Sequence, residues 1–406
     1  TIGLTALMMS LAACGGNGGV PPAGGGGSAC GASGANAFTA PVRGSAFYYA
    51  PNVRRACAVA QKPDEMACLA LVRTDVPATT PAGYGPSDLQ SAYNLPSTTD
   101  GQGQTVAVVD AYDNPNAESD LAVYRSTYGL PACGSSNSCF RKVNELGETS
   151  NYPTPNSGWA LEESLDVDMV SAICPKCHVV LVEANTNSFL DLGKSVNTAA
   201  DVIHADAISN SYIGYHAHSK GGRLFYEHPG HIITAAGGDD GYKIGEPAGF
   251  PTVVAVGGTQ LTRTTTGRMW AEVVWAGTGS GCVLTRTKPK WQGRDACSWR
   301  SMNDVAADAA PGTGVAYYDT YDHDGWGVVG GTSVASPIIA SVYALAGNEK
   351  QMHAAESLYA QGASLYDVTS GSNGTKCKAS HHILCNAGPG WDGPTGNGTP
   401  NGISAF

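Results

Sequence analysis

Five short apolar runs decide what this chain can become. "QTVAVVDAY" (104–112), "HVVLVEA" (178–184), "ADAISNSY" (205–212), "HIITAAGG" (231–238) and "TVVAVGG" (252–258) are strand-length and largely apolar. Helical patterns stand between them, around residues 117–127, 159–173 and 189–202. Apolar strands alternating with helices predict an α/β fold, a parallel sheet with helices on both faces. In such a sheet the working groups collect beyond the carboxyl ends of the strands.

At 406 residues the chain can bury a sizeable core. Acidic residues outnumber basic ones, 34 to 23, for a net charge of -11, and no Lys/Arg run interrupts that balance. A nucleic-acid partner, which needs a basic footprint, is therefore not expected. The 53 glycines and 23 prolines predict many turns and close backbone approaches.

The opening "TIGLTALMMSLAACGG" has an apolar run too short for a bilayer span that ends in small residues and a cysteine, as an export signal does. Leu11-Ala12-Ala13-Cys14 is similar to a bacterial lipobox, which would place a lipid anchor on Cys14, with the Gly/Pro-rich stretch behind it as a flexible tether. An ordinary secretory signal with a chance cysteine is the competing reading. A missing initiator Met and basic start fit a sequence truncated at its N-terminus. We expect three segments: signal and tether over 1–34, a short appendage or pro-segment over 35–82, and one large domain over 83–406.

Ten of the 12 cysteines fall into close pairs: Cys57/Cys68, Cys133/Cys139, Cys174/Cys177, Cys282/Cys297 and Cys377/Cys385. Local loops of this kind fit disulfides in an oxidising compartment, although sequence alone does not fix their connectivity. Cys14 and Cys30 are left over.

In "GGTSVASPIIASVYALAG" a Gly-Gly-Thr-Ser corner stands directly before an apolar run of helical spacing, so Ser333 sits at a helix N-terminus. Backbone N–H groups and the positive dipole end there suit a developing oxyanion. Alone, the motif reads first as a plain N-cap, and only its context makes it catalytic. A serine nucleophile also needs a base. No histidine stands in a His-Gly-Thr setting, whereas "GWALEESLDVDMVSAI" sets Glu162 and Asp166 four apart on one helix face, with Glu163 turned away. Like charges at that spacing repel unless a proton is shared or a partner compensates, and an exposed acidic face is the bland alternative.

With these residues, "GGDDG" around Asp239, "FPTVVAVGGT", "WAGTGSGC" from Trp275 and the C-terminal "AGPGWDGPTGNG", the chain from about Gly83 onward resembles the sedolisins, serine-carboxyl peptidases of subtilisin-like fold. The resemblance implies Ser333 as nucleophile, Glu162 as general base and later acid, Asp166 as the group orienting Glu162, and Asp239 as oxyanion stabiliser. An aspartic acid donates to an oxyanion only when protonated, so an acidic optimum follows, with activity peaking below about pH 6. Asp240 departs from the family, which has a small residue there. Asp110 would stand behind the catalytic carboxyls and Tyr212 would line the cleft.

The same resemblance implies one calcium ion held by Asp367, the carbonyls of Val368, Gly388 and Gly390, and Asp392, an all-oxygen set suited to a hard cation. Many sedolisins have a long, separately folded pro-domain. Residues 35–82 are too few for one, so activation by its removal is not expected. The expected protein is an exported or surface-tethered monomeric endopeptidase acting on proteins or peptides. Its rivals are a catalytically silent surface lipoprotein that binds peptides, a subtilisin-type enzyme with a histidine base and, more distantly, a two-carboxylate glycosidase.

Overall fold

The structure, a computed structural model, describes residues 52–215, 222–293, 297–348, 350, 355–374, 377 and 379–406. The expected signal and tether, with Cys14 and Cys30, lie outside the described residues.

In chain order the N-terminal part gives β1 (Val53–Arg55), β2 (Ala67–Cys68), β3 (Leu71–Arg73) and α1 (Pro86–Ala92). The alternating region follows with β4 (Thr105–Ala111), α2 (Ala117–Thr127), β5 (Phe140–Asn144), α3 (Ser157–Ile173), β6 (His178–Ala184) and α4 (Phe189–Asn197). Next come β7 (Ala207–Asn210), β8 (Tyr212–Ile213), β9 (Ile232–Ala236), β10 (Val254–Arg263) and β11 (Trp270–Val274). The last third holds β12 (Gly281–Val283), β13 (Arg300–Met302), β14 (Val305–Asp308), β15 (Val315–Asp319), β16 (Gly325–Gly330), α5 (Thr332–Ala346) and α6 (Glu356–Ala360).

The main sheet runs β11-β10-β9-β7-β4-β6-β5, with β14 paired to β10. Every pairing in it is parallel except β10 with β11. The strands are apolar on both faces because both faces are covered. On β4, Val106 and Val108 enter one core while Ala107, Val109 and Ala111 enter the other, and β6 divides Val179 and Leu181 from Val180, Val182 and Ala184 in the same way. Leu161, Leu165 and Met169 of α3 and Val334, Ile338 and Ile339 of α5 fill the first core; Phe189, Leu192 and Val196 of α4 fill the second. This is the expected subtilisin-like α/β arrangement.

Local caps fix where the two central helices begin. The Asn156 side chain accepts from Gly158 N and Trp159 N, both at 3.1 Å, at the head of α3. Gly331 opens α5 at a φ of 102°, in the left-handed region that favours glycine. All five close cysteine pairs form disulfides.

The 52–82 stretch has no period in sequence but does not lie loose. β1, β3, β16 and β15 form a second sheet, and β2 pairs with β8. Among the described residues no helix is long and apolar enough to cross a membrane.

Candidate active site

The parallel strands aim their carboxyl ends at one region. Asp110 stands near the end of β4, Ser211 directly after β7 and Asp239 three residues after β9, while Ser333 lies in the first turn of α5, next to α3. Glu162, Asp166, Asp239 and Ser333 are all fully buried. The exposed acidic face considered for α3 is thereby excluded, because Trp159–Ile173 is buried on every side.

Ser211 ties the pieces together. Its hydroxyl donates to Asp166, 2.8 Å from each carboxylate oxygen, and its carbonyl accepts from Ser333 Oγ at 3.2 Å. Glu162 Oε2 accepts from the Leu69 and Ala70 N–H groups at 3.1 and 2.8 Å, and its Oε1 has no hydrogen bond. Burial drives the Glu162 pKa well up, and the Asp110 charge adds to the rise; the neighbouring Ser333 hydroxyl and the Ala70 N–H offset part of it. Asp166 is raised by burial, then by Asp110 and Glu162, with Ser211 opposing. Asp110, with neither oxygen hydrogen-bonded, is pushed up to about 8 by burial.

Asp239 is held differently. Its Oδ1 accepts from Thr332 N and Thr332 Oγ1, both at 2.8 Å, which leaves Oδ2 buried without a partner. Burial raises its pKa to about 7 against the opposing Thr332 bonds and Arg55 charge. A Cβ on Gly331 would lie 2.7 Å from that Oδ2 and 2.0 Å from the Leu69 carbonyl oxygen. Both oxygens therefore crowd the Gly331 backbone, where only glycine fits. A protonated Asp239 can present an O–H there, beside the helix N-terminus that carries Ser333.

Asp240 is turned elsewhere, into ion pairs with Arg55 at 2.8 Å and Lys243 at 3.7 Å. The Tyr212 hydroxyl donates to Asn210 Oδ1 at 2.7 Å and lies 3.1 Å from that of Tyr226. Among the described residues, no histidine hydrogen-bonds to Ser333, Glu162, Asp166 or Asp239.

Sequence reasoning passed over several residues of this region. Ser211 is a small polar residue in an apolar stretch, with no signal in its spacing. Glu163 does not face solvent; burial and then Glu183 raise its pKa, and Lys142, 3.3 Å from Glu183 and paired with Asp113, opposes the rise. Leu69 and Ala70 belong to a stretch with no readable period.

At the far end of the chain Asp367 and Asp392 come together around the glycine turn. Gly390 N donates to Asp367 Oδ2 at 2.9 Å and Gly388 N to Asp392 Oδ2 at 3.2 Å. Burial lifts Asp392 to about 7, against hydrogen bonds from Thr395 and Gly388, and the Asp367 charge adds to the rise. One buried and one exposed carboxylate on a glycine turn, which together need a counter-charge, have donor chemistry that fits a hard cation.

Residues 158–379 match the model of the subtilase family. The chain is 30% identical over 365 residues to kumamolisin of Bacillus sp. (strain MN-32), and 26% over 364 residues to sedolisin of Pseudomonas sp. (strain 101). These alignments take in 80% and 79% of the chain but 63% and 60% of the two relatives, so the chain spans about three fifths of their length. Among solved structures, Pseudomonas sedolisin, a serine-carboxyl proteinase complexed with two molecules of pseudo-iodotyrostatin, superimposes with a TM-score of 0.66. That match, at 24% identity, covers 79% of this chain and 96% of the other and shows the shared fold.

Proposed function

The chain belongs to the subtilase family, and from that premise we propose that it is a serine-carboxyl endopeptidase, cleaving peptide bonds through an acyl-serine intermediate. The observation that carries this reading is Asp239 Oδ2, buried without a hydrogen-bond partner beside the Ser333 corner. An inert binding module has no use for a desolvated carboxyl without a partner, which costs free energy to keep.

In this reading Ser333 Oγ attacks the substrate carbonyl and Glu162 takes its proton. The oxyanion receives hydrogen bonds from protonated Asp239 and the backbone N–H of Ser333. Glu162 then protonates the leaving amine, and a water molecule repeats the cycle on the acyl-serine. Three buried carboxyls in mutual repulsion hold one negative charge far more readily than two. The trio of Asp110, Glu162 and Asp166 therefore works with a single charge, carried by Glu162 when it acts as base. Asp239 must keep its proton, so activity fades above about pH 7, and a bell-shaped profile peaks below about pH 6.

Substrates are proteins or peptides. Asp367, Asp392 and the carbonyls of Val368, Gly388 and Gly390 would hold calcium, whose charge would relieve the strain between the two carboxylates and secure the C-terminal turn. Five disulfides fit an exported protein, free or anchored through Cys14.

The test is digestion of a diverse peptide library at several pH values by wild-type and Ser333→Ala protein. Internal cuts made in acid by the wild type alone support the reading; undiminished hydrolysis by Ser333→Ala refutes it.

A further inference from the structure

Two aspartates stand side by side after β9 and turn to different partners. Asp239 enters the Ser333 corner, held by Thr332, while Asp240 meets the Arg55 guanidinium at 2.8 Å. That second contact is a nearly buried ion pair, its side chains only 12% and 4% exposed. The backbone carrying both aspartates is pinned on each side. Gly237 N donates to Val256 O at 2.8 Å, Gly279 N to Gly238 O at 2.7 Å and Gly241 N to Gly277 O at 2.8 Å. The two residues are therefore held at a fixed spacing.

Arg55 reaches them from far along the chain. It ends β1, whose pairing with β3 ties it to β16, the strand that leads into Gly331 and Ser333. Cys57, two residues on, is fixed to Cys68 by a disulfide, and Ala56 N donates to Ala70 O at 2.9 Å.

The charged groups around Asp239 pull in opposite directions. Burial raises its pKa most; the Thr332 N–H and the positive charge of Arg55 lower it, and the negative charge of Asp240 adds to the rise. Lys243, 3.7 Å from Asp240, has a side chain 44% exposed, so solvent screens it. The Lys243 ammonium lies 3.3 Å above the Tyr215 ring, whose hydroxyl is buried. Burial and then the two aspartates hold the Tyr215 pKa well up against Arg55, so this phenol adds no charge. On the α3 side stands Glu162, whose own ionisation the Asp239 charge opposes. Neither member of the Arg55–Asp240 pair can be neutralised without unbalancing the other.

We propose that the Arg55–Asp240 pair is a positioning element of the oxyanion site: its two charges, set beside Asp239 with opposite effects, fix the pH above which the enzyme loses its oxyanion donor. This rests on the peptidase reading above, in which protonated Asp239 is that donor. It also gives β1, a three-residue strand remote from Ser333 in sequence, a part in setting the working pH range.

The signs follow from the charges. Without Arg55 the ionised Asp239 loses a stabilising charge, its proton is held to higher pH, and the alkaline limb of activity moves up. Without the Asp240 charge Arg55 acts unopposed, the proton leaves earlier, and the limb moves down. Losing both charges cancels the two effects. The acid limb belongs to Asp110, Glu162 and Asp166 and stays in place. Lost packing alone would lower activity at every pH without separating the limbs.

The experiment measures kcat/KM across pH on one peptide for wild-type, Arg55→Met, Asp240→Asn and doubly substituted full chains, with Ser333→Ala as control. Shifts of the alkaline limb by about half a pH unit or more are expected, upward for Arg55→Met and downward for Asp240→Asn. The double variant is expected within about 0.3 unit of wild type, with the acid limb unmoved throughout. Arg55→Lys keeps the charge and is expected to keep the wild-type limb. Asp240→Asn is nearly isosteric, so its downward shift tests the proposal even if Arg55→Met fails to fold. Single variants whose alkaline limbs stay in place or move the same way overturn the proposal and leave the peptidase reading standing, as does a loss of activity uniform over pH. Wild type with no hydrolysis beyond that of Ser333→Ala overturns both.

Discussion

Ser333 donates its hydroxyl to the carbonyl of Ser211 at 3.2 Å, while the hydroxyl of Ser211 is 2.8 Å from both oxygens of Asp166. One unremarkable serine thus touches the nucleophile with its backbone and the orienting carboxyl with its side chain.

Replacing Ser211 by Ala keeps the carbonyl and removes the hydroxyl, leaving a buried carboxyl without its donor. A hydrogen bond to such a group is worth about 1.5–3 kcal/mol, so kcat is expected to fall about 10- to 100-fold with KM little changed. Because Ser211 lowers the Asp166 pKa, the acid limb of the pH profile also moves. Steady-state kinetics across pH checks this, and an unchanged profile counts against positioning through Ser211.

Asp239→Asn tests the oxyanion donor by pH. An amide keeps an oxygen for Thr332 and offers an N–H toward the Gly331 space at any pH, whereas the wild-type carboxyl donates only below its pKa of about 7. The variant is expected to lose activity in acid yet retain a larger share of it at about pH 8, shifting the alkaline limb upward. An alkaline limb that stays in place would assign it to another group.

Stability has its own pH dependence. Asp110 and Asp239 have folded pKa values raised from 3.8 to about 8 and 7, both chiefly by burial. The folded chain therefore binds more protons than the unfolded one between about pH 4 and 8, and stability falls as pH rises through that window. Melting temperatures are expected to be highest near pH 4 and to decline toward pH 8. Asp110→Asn, which cannot ionise, flattens the decline.

Calcium at the Asp367–Asp392 turn would add about 2.7 kcal/mol at a hundredfold excess over Kd. Chelation is expected to lower the melting temperature of the wild type, and Asp392→Asn protein to melt low with or without chelator. Thermal scans with and without added calcium check both.

The covered strands were legible because burial on two faces leaves nearly continuous apolar runs, and Val106–Val109 shows both cores using alternate residues of one run. β10 outran its apolar core to Arg263, where β11 supplies the pairing in place of burial. The second sheet was not legible: β1 and β3 are three residues long and are placed by pairing with each other and with β16 and by packing on Trp275, Ala309 and Ala310. Helical spacing put Glu162 and Asp166 on one face. It could not show that α3 is buried all round, or that Glu163, on another face than Glu162 and Asp166, lies near Glu183. The corner at Ser333 was readable from glycine and helix-start chemistry, whereas the Leu69–Ala70 donors to Glu162 are placed by pairings distant in sequence.

The central claim is that a carboxylate, Glu162, takes the proton of Ser333. Its most direct test is kcat/KM on a Leu-containing peptide near pH 5 for wild-type and Glu162→Gln protein of matched fold. Gln is nearly isosteric but cannot accept that proton, so a loss of about 100- to 10,000-fold is predicted. Activity within about threefold of wild type would contradict the account.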